Sequence, residues 1–333
     1  MHERRQAPRQ PGTIMLELRI RSITNEAVGI NAYELVDPAG AELPAFTAGA
    51  HIDVHIPGGF VRQYSLSNDP AERKRYVVGV LNVGDGRGGS KALHASLRAG
   101  DLVRVSAPRN HFPLEPSARR HLLLAGGIGI TPMMAMVAHL RAAGAEFRLH
   151  YCTRTPERTA FREQLAPLVQ AGKAVHHYDH GDPAQGLSLA DLLRHPEVGT
   201  HLYYCGPPGW MAAVAKATAH WPQGTVHCEY FAAPPAAWPR AGNPVSDGAF
   251  EVRIASTGQT LAVPADKSIA QALREAGIPC ETSCEAGVCG TCRTRYLEGT
   301  PEHCDFILSD EERSQYLTVC CSRSSSELLV LDL

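Results

Sequence analysis

Nothing in this sequence approaches the roughly 18 consecutive apolar residues that a membrane-spanning helix requires, so no span is expected. A lopsided charge is also missing. The 32 Lys and Arg face 34 Asp and Glu, a formal net charge of −2, which offers no sign of a nucleic-acid partner. The opening MHERRQAPRQPG is basic and rich in Pro and Gln, but no apolar stretch follows it, so it reads as a flexible leader and not a secretion signal. What remains is an ordinary globular composition, 44% hydrophobic and 20% charged over 333 residues, long enough for two or three domains with ample cores.

Cysteine is not scarce: there are ten. Cys284, Cys289 and Cys292 fall in one short stretch, CEAGVCGTC, and Cys320 follows after 27 intervening residues. The spacing C-x4-C-x2-C…C is that of plant-type 2Fe-2S centres, in which three thiolates of one loop and a fourth from a distant strand surround two irons. A second C-x2-C arm is lacking, which argues against a structural zinc site. Gly287 and Gly290 suit a backbone with positive φ that turns N–H groups towards the sulfurs, and Ser283 and Thr291 are further donors. Cys321 is the alternative fourth ligand. Read on a strand, it and Cys320 point to opposite faces, so only one of them faces the cluster. Cys152, Cys205, Cys228, Cys280, Cys304 and Cys321 are then most simply free thiols of a reducing, cytoplasmic protein.

From Thr13 to about Ala107 short strands alternate with turn residues, as in Met15 to Ile20, His51 to Ile56 and Tyr76 to Val83, the pattern of an antiparallel barrel. Gly58-Gly59 turns into a strand from Phe60 that carries Arg62-Gln-Tyr64-Ser65. A guanidinium clamps phosphate, an aromatic stacks on a planar ring and a hydroxyl bonds its edge. Gly86-Arg-Gly88-Gly89-Ser90 then opens a helical stretch, Lys91 to Leu97, where backbone N–H groups receive a phosphate. The two motifs together predict a phosphorylated flavin. Ser90 as a plain N-cap is the structural alternative.

From Arg120 to Phe231 apolar strands alternate with amphipathic helices, which predicts a doubly wound parallel sheet. The strands are His121 to Ala125, Phe147 to Cys152, Ala174 to Tyr178, His201 to Cys205 and Thr225 to Tyr230. The first runs into Gly126-Gly127-Ile128-Gly129-Ile130-Thr131-Pro132, with Thr131 expected to cap the helix Met133 to Ala142. A glycine turn between strand and helix brings backbone close to a pyrophosphate, although the spacing is not G-x-G-x-x-G. Cys205-Gly206-Pro207-Pro208 closes the fourth strand at the ligand edge, where a thiol either approaches a nicotinamide or is simply buried. Thr153 and Arg154 reach towards an adenosine ribose. Arg154 with Arg158 would suit a 2′-phosphate, which leaves NADH and NADPH both open on physical grounds alone.

AAPPAAWPRAGNPVSDG, with four prolines, reads as a semi-rigid linker that Trp238 pins to a neighbour. Beyond it lie a hairpin (Phe250 to Ala255, Gln259 to Val263), a capped helix (Ser268 to Ala276), the cluster loop, a strand at Thr294 to Leu297, a polar segment at Ser309 to Gln315 and a closing strand, Glu327 to Leu331. That order describes a small mixed sheet crossed by one helix.

The stretches RQYSLSND, GRGGS, PRNHFPL, AGGIGITPMM, YDHGDP, HWPQGTVHCEYF, the cluster loop and ELLVLDL closely resemble the phthalate dioxygenase reductase family, which includes the vanillate demethylase reductases. The resemblance spans nearly the whole chain after residue 13. It implies an FMN-binding barrel over 13–112, an NAD-binding α/β domain over 113–231, a linker over 232–248 and a β-grasp-like 2Fe-2S ferredoxin domain over 249–333. It implies Arg62, Tyr64, Ser65, Gly88, Gly89 and Ser90 as FMN contacts, Phe231 against the flavin, and Gly127, Thr131 and Cys205 at the pyridine nucleotide. Thr153-Arg154 matches relatives that prefer NADH, and Cys320 is favoured as the fourth cluster ligand. His111 departs from the acid that relatives often carry there.

The implied activity is hydride transfer from NADH to FMN, with Ser65, Cys205 and Phe231 at the reacting centre, followed by single-electron transfer through the cluster to a Rieske-type oxygenase. Glu281 and Glu285, flanking the cluster, are candidates for docking that partner. A stand-alone NAD(P)H reductase of a small acceptor and a redox-sensing module are the competing readings.

Overall fold

The computed structural model describes residues 15–84, 86, 88–231 and 248–333. The leader and nearly all of the Pro-rich linker, Trp238 included, lie outside the described residues. The first unit is β1 (Met15–Ala27), β2 (Ile30–Val36), β3 (Ala50–Ile56), β4 (Phe60–Ser65), β5 (Tyr76–Leu81), α1 (Gly89–Ser96), β6 (Leu102–Ser106) and β7 (Arg109–Asn110). Its antiparallel strands run in the order β4-β3-β6-β1-β2-β5, with β7 on β3. A bridge between Leu66 and Val78 brings the two ends together, so the predicted barrel is closed. Alternate residues point inward: Leu18 and Ile20, Ile52 and Val54, Val78 and Val80, and Val103 and Val105 are all buried.

The second unit is β8 (Arg120–Gly126), α2 (Ile130–Ala142), β9 (Glu146–Thr153), α3 (Arg162–Gln170), β10 (Ala174–Tyr178), α4 (Leu189–Leu192), β11 (Thr200–Cys205), α5 (Pro208–Ala217) and β12 (Val226–Glu229). Its strands are all parallel, in the order β10-β9-β8-β11-β12. Chain direction across the sheet reverses between β8 and β11, and the loops after those strands flank the crevice where such sheets bind ligands. Thr131 does not cap α2, because Gly129 is the N-cap; Thr131 lies inside the first turn and returns its hydroxyl to the Ile128 carbonyl at 3.1 Å. A side chain at Gly129 would lie 2.1 Å from the Cys205 carbonyl oxygen, so only glycine lets the turn pass the end of β11.

These two units, separate in sequence, share one core. The buried cluster runs from Leu18 and Val105 in the barrel through Met133, Met136 and Tyr151.

The third unit has its own core. It comprises β13 (Phe250–Ile254), β14 (Thr260–Val263), α6 (Ile269–Glu275), β15 (Arg293–Glu298), β16 (Pro301–Glu302), α7 (Asp310–Arg313), β17 (Tyr316–Thr318), β18 (Arg323–Ser324) and β19 (Leu328–Leu331). The sheet order is β14-β13-β19-β15-β17, with β13 and β19 parallel and the other pairs antiparallel. Ser268 and Gln271 form a capping box that starts α6, as expected. Cys320 does not lie on a strand: β17 ends at Thr318, and both Cys320 and Cys321 occupy the turn that follows.

Candidate functional site

In the loop between α6 and β15, Cys284, Cys289 and Cys292 are buried, and so is Cys320. The amides of Ala286 and Val288 donate to Cys284 Sγ at 3.4 Å, and the Cys284 amide to Cys289 Sγ at 3.5 Å. Gly287 (φ 68°) and Gly290 (φ 72°) turn the loop in the predicted way. The four thiols converge, with Cys284 hydrogen-bonded to Cys289 and Cys320, and Cys292 hydrogen-bonded to Cys320. As they stand, no three His, Cys, Asp or Glu among the described residues are arranged to hold a metal ion. The fit to a cluster rests on the convergence of the sulfurs and on the N–H groups aimed at them, which suit charged, iron-bound sulfur. Cys321 turns elsewhere: its Sγ lies 3.0 Å from Thr318 Oγ1 and packs on Gly287. The strand alternation that would separate Cys320 from Cys321 does not operate in this turn, yet their sulfurs diverge.

A candidate phosphate cradle forms where β4 passes the start of α1. The N-cap of α1 is Gly88 (φ 79°), and no side chain caps the helix, which leaves its first amides turned to an incoming anion. Ser90 is not that cap; its Oγ accepts from the Val83 amide at 3.2 Å. A Cβ on Gly89 would sit 2.6 Å from Arg62 Nε, so the glycine is what lets the guanidinium lie across the helix start. Tyr64 Oη and Gln63 Nε2 are buried with no protein partner, polar atoms for which a flavin edge is the fitting acceptor or donor.

One small pocket joins this cradle to the cluster loop. Arg62 and Ser65 line it from β4, Glu229 and Phe231 from the end of the second unit, and Cys284 and Val288 from the cluster loop. The third unit is held there by further contacts, with Tyr230 against Phe306 at 5.5 Å between ring centroids and Arg109 Nη2 donating to Thr291 Oγ1 of the cluster loop at 3.3 Å. Three sets of residues read from separate stretches of sequence therefore meet in a single place.

Glu229 is the residue that sequence reasoning missed. Its neighbour in register is Cys205. Ser65 Oγ donates to its Oε2 at 3.1 Å, and the buried His51 lies 3.9 Å from Oε1. Burial pushes its carboxyl up to about 8, against an opposing hydrogen bond from Ser65. The same burial pushes His51 down to about 3, so its ring is neutral. The signal was present as an acid at the end of a strand, Val226–Glu229, and just before the aromatic pair Tyr230-Phe231. The fully buried Cys205 thiol is pushed well up, also by desolvation, so it stays protonated. Because the folded-state value of Glu229 exceeds the ordinary 4.5, unfolding releases its proton. Glu229 should therefore lower stability as pH rises from about 4.5 to about 8, by roughly 1.4 kcal/mol per pH unit, and the net fall should show above about 6.5, where the buried neutral His51 no longer contributes the opposite slope. Glu229→Gln should flatten that slope in urea titrations at several pH values; an unchanged slope would show that Glu229 is not the group responsible.

The nucleotide pocket is a separate cavity of about 600 Å³ between the barrel and the crevice of the second sheet. Gly127, Thr153, Arg154, Arg158, Asp179 and Trp210 line it. Thr153 shares its hydroxyl with Thr159 Oγ1 at 2.7 Å and its carbonyl accepts from the Asp179 amide at 3.2 Å, so both are engaged within the protein. Thr131 is buried against the barrel, its methyl facing Gly79, and does not line the pocket. Glu285, expected to face a partner, has its carboxylate held by Arg274 at 2.7 Å and Thr282 at 3.1 Å.

The geometry defines a class: an oxidoreductase that joins a pyridine-nucleotide pocket to a thiolate-lined iron-sulfur loop. The known domain families agree, since the oxidoreductase NAD-binding domain matches residues 123–216 and the 2Fe-2S iron-sulfur cluster binding domain matches residues 252–325. The chain belongs to the phthalate dioxygenase reductase family. It is 42% identical to phthalate dioxygenase reductase of Burkholderia cepacia over 98% of this chain and 99% of that one. It is 47% identical to the vanillate O-demethylase oxidoreductase of Pseudomonas sp. (strain HR199 / DSM 7063), over 96% of this chain and all of that one. It is 53% identical to the tert-butanol monooxygenase / tert-amyl alcohol desaturase reductase subunit of Aquincola tertiaricarbonis, over 96% of both. The solved phthalate dioxygenase reductase, described as a modular structure for electron transfer from pyridine nucleotides to [2Fe-2S], superposes with a TM-score of 0.72 at 42% identity, over 96% of this chain and 98% of that one. This protein is thus a reductase with NAD and a 2Fe-2S cluster among its cofactors. Among its described residues, no helix is long and apolar enough to cross a membrane.

Proposed function

We propose that this chain takes a hydride from NADH onto FMN and passes the electrons singly through its 2Fe-2S cluster to a Rieske-type oxygenase component. The observation that carries the reading is the pocket shared by Arg62, Ser65, Phe231 and Cys284. FMN, when bound, changes two-electron hydride chemistry into one-electron steps, which is the exchange that a nicotinamide donor and an iron-sulfur acceptor require.

The residues have positioning roles. Arg62 and the amides of Gly89 and Ser90 hold the phosphate, while Tyr64 and Ser65 bond the flavin edge. Phe231, 40% exposed and lining the same pocket, would lie against the flavin if FMN were held there. Cys205, at the end of β11, is fully buried and lines neither pocket, so its part is in the packing beneath the crevice. Ser65 and Glu229 form a hydrogen-bonded pair able to hold a proton at the Ser65 oxygen, next to the reacting ring. The cluster ligands are Cys284, Cys289, Cys292 and Cys320. Asp179 lines the nucleotide pocket together with Arg154 and Arg158, so the reading of NADH over NADPH rests on the match of Thr153-Arg154 to relatives that prefer NADH. The three larger sheets support domains at 13–112, 113–231 and 249–333. All ten cysteines are unpaired, which supports a reducing, cytoplasmic setting. The names of the relatives, reductase subunits of oxygenases among them, support the acceptor.

The test is an anaerobic titration of the purified chain with NADH and, separately, NADPH, followed by absorbance and low-temperature EPR. Bound FMN, a reduced-cluster signal and preferential reduction by NADH are expected. A chain that binds no flavin, or shows no cluster signal, would sink the reading.

A further inference from the structure

A buried ion pair of the flavin barrel touches the cluster loop. Asp53 of β3 is buried, its side chain 6% exposed, and its Oδ2 accepts from Arg109 Nη2 at 2.5 Å. Arg109 lies in β7, which pairs with β3 beside His51, so both partners are fixed by the sheet. The same Nη2 donates across the domain junction to Thr291 Oγ1 at 3.3 Å, and that oxygen lies 3.4 Å from Cys289 Sγ. Gly290, one residue earlier, packs against His111 of the barrel, so the loop is seated from two sides. Nothing in the hydride chemistry calls on Arg109 or Asp53.

With iron on the sulfur there is no thiol proton, so the Thr291 hydroxyl must donate to Cys289 Sγ while accepting from Arg109. A cation that donates to a hydroxyl polarises its O–H and strengthens the bond that the hydroxyl makes onward. Reduction adds one negative charge to the cluster and its sulfurs, so both the strengthened bond and the guanidinium charge favour the reduced form. Asp53 offsets part of that charge through the same Nη2, but it is the arginine and not the carboxylate that contacts the Thr291 hydroxyl.

We propose that Arg109, held by Asp53, is a positioning residue of the flavin barrel that raises the reduction potential of the cluster through Thr291 and Cys289. The inference rests on the reading of the four cysteines as ligands of a 2Fe-2S cluster.

The experiment is an EPR-monitored redox titration of the full-length protein carrying both cofactors. Arg109→Gln should lower the cluster midpoint so that the equilibrium for moving an electron from flavin to cluster falls about tenfold, which is about 59 mV for a one-electron couple. Arg109→Lys should recover part of the shift. Thr291→Val should shift the midpoint in the same direction, and Arg109→Gln added to it should contribute less than it does alone. The flavin midpoint, read in the same titration, is the control that general loosening would move.

If Arg109→Gln fails to accumulate because Asp53 is left alone and buried, Asp53→Asn with Arg109→Gln removes the pair together and should still lower the midpoint, by less than the tenfold equivalent because the offsetting carboxylate goes with the arginine. A wild-type midpoint in these variants, or fully additive shifts with Thr291→Val, overturns the proposal. A wild-type protein with no cluster signal would instead overturn the reading of the cysteines.

Discussion

Cys320→Ser should yield a protein that still takes a hydride from NADH but holds no stable cluster, whereas Cys321→Ser should load iron as the wild type does. The two cysteines are adjacent, and the sequence offers either as the fourth ligand. Their surroundings differ: Cys320 adjoins Cys284 and Cys292, while Cys321 is turned to Thr318. Iron analysis and the visible spectrum read the outcome directly. Flavin bleaching by NADH should survive in Cys320→Ser, because the phosphate cradle and the nucleotide pocket do not involve that turn, and reduction of a one-electron acceptor such as cytochrome c should fall towards background. The reverse result, with Cys321→Ser empty and Cys320→Ser loaded, would require the turn after β17 to be rebuilt and would refute the ligand assignment.

Arg62→Ala should release FMN. The guanidinium supplies charge and paired N–H donors where α1 supplies only backbone amides, and hydrogen bonds to charged groups contribute about 1.5 to 3 kcal/mol. A loss of about 2 to 3 kcal/mol raises the dissociation constant roughly 30- to 150-fold. The measurement is flavin fluorescence during dialysis and re-addition of FMN. Arg62→Lys should fall between wild type and alanine, since it keeps the charge and loses the planar fork. Unaltered FMN affinity in Arg62→Ala would remove the cradle from the account.

Much of this architecture is legible in the sequence because its signals are local. Strand alternation in Leu18 and Ile20 or Val103 and Val105 marks the barrel, the glycine turn after Gly126 marks the nucleotide crevice, and cysteine spacing marks the cluster loop. Caps were less legible. Thr131 and Ser90 have the composition of N-caps, but in both helices a preceding glycine takes that position because the backbone there must pass close to another strand or side chain.

Tertiary facts were not legible at all. The barrel and the nucleotide domain read as independent units, yet they share a core, since no sequence pattern says which outer face of a sheet another domain will cover. Glu229 and His51 look like strand residues of no special interest until folding brings residue 65 to residue 229 and both to Cys284. The Arg109 to Thr291 contact joins residues 182 positions apart, and spacing carries no record of it.

The central claim is an order of events, and rapid anaerobic mixing with NADH tests it most directly. With absorbance followed at flavin and cluster wavelengths, flavin reduction should come first and cluster bleaching should follow it. Cluster bleaching that precedes flavin reduction, or that persists in protein stripped of FMN, would contradict the account.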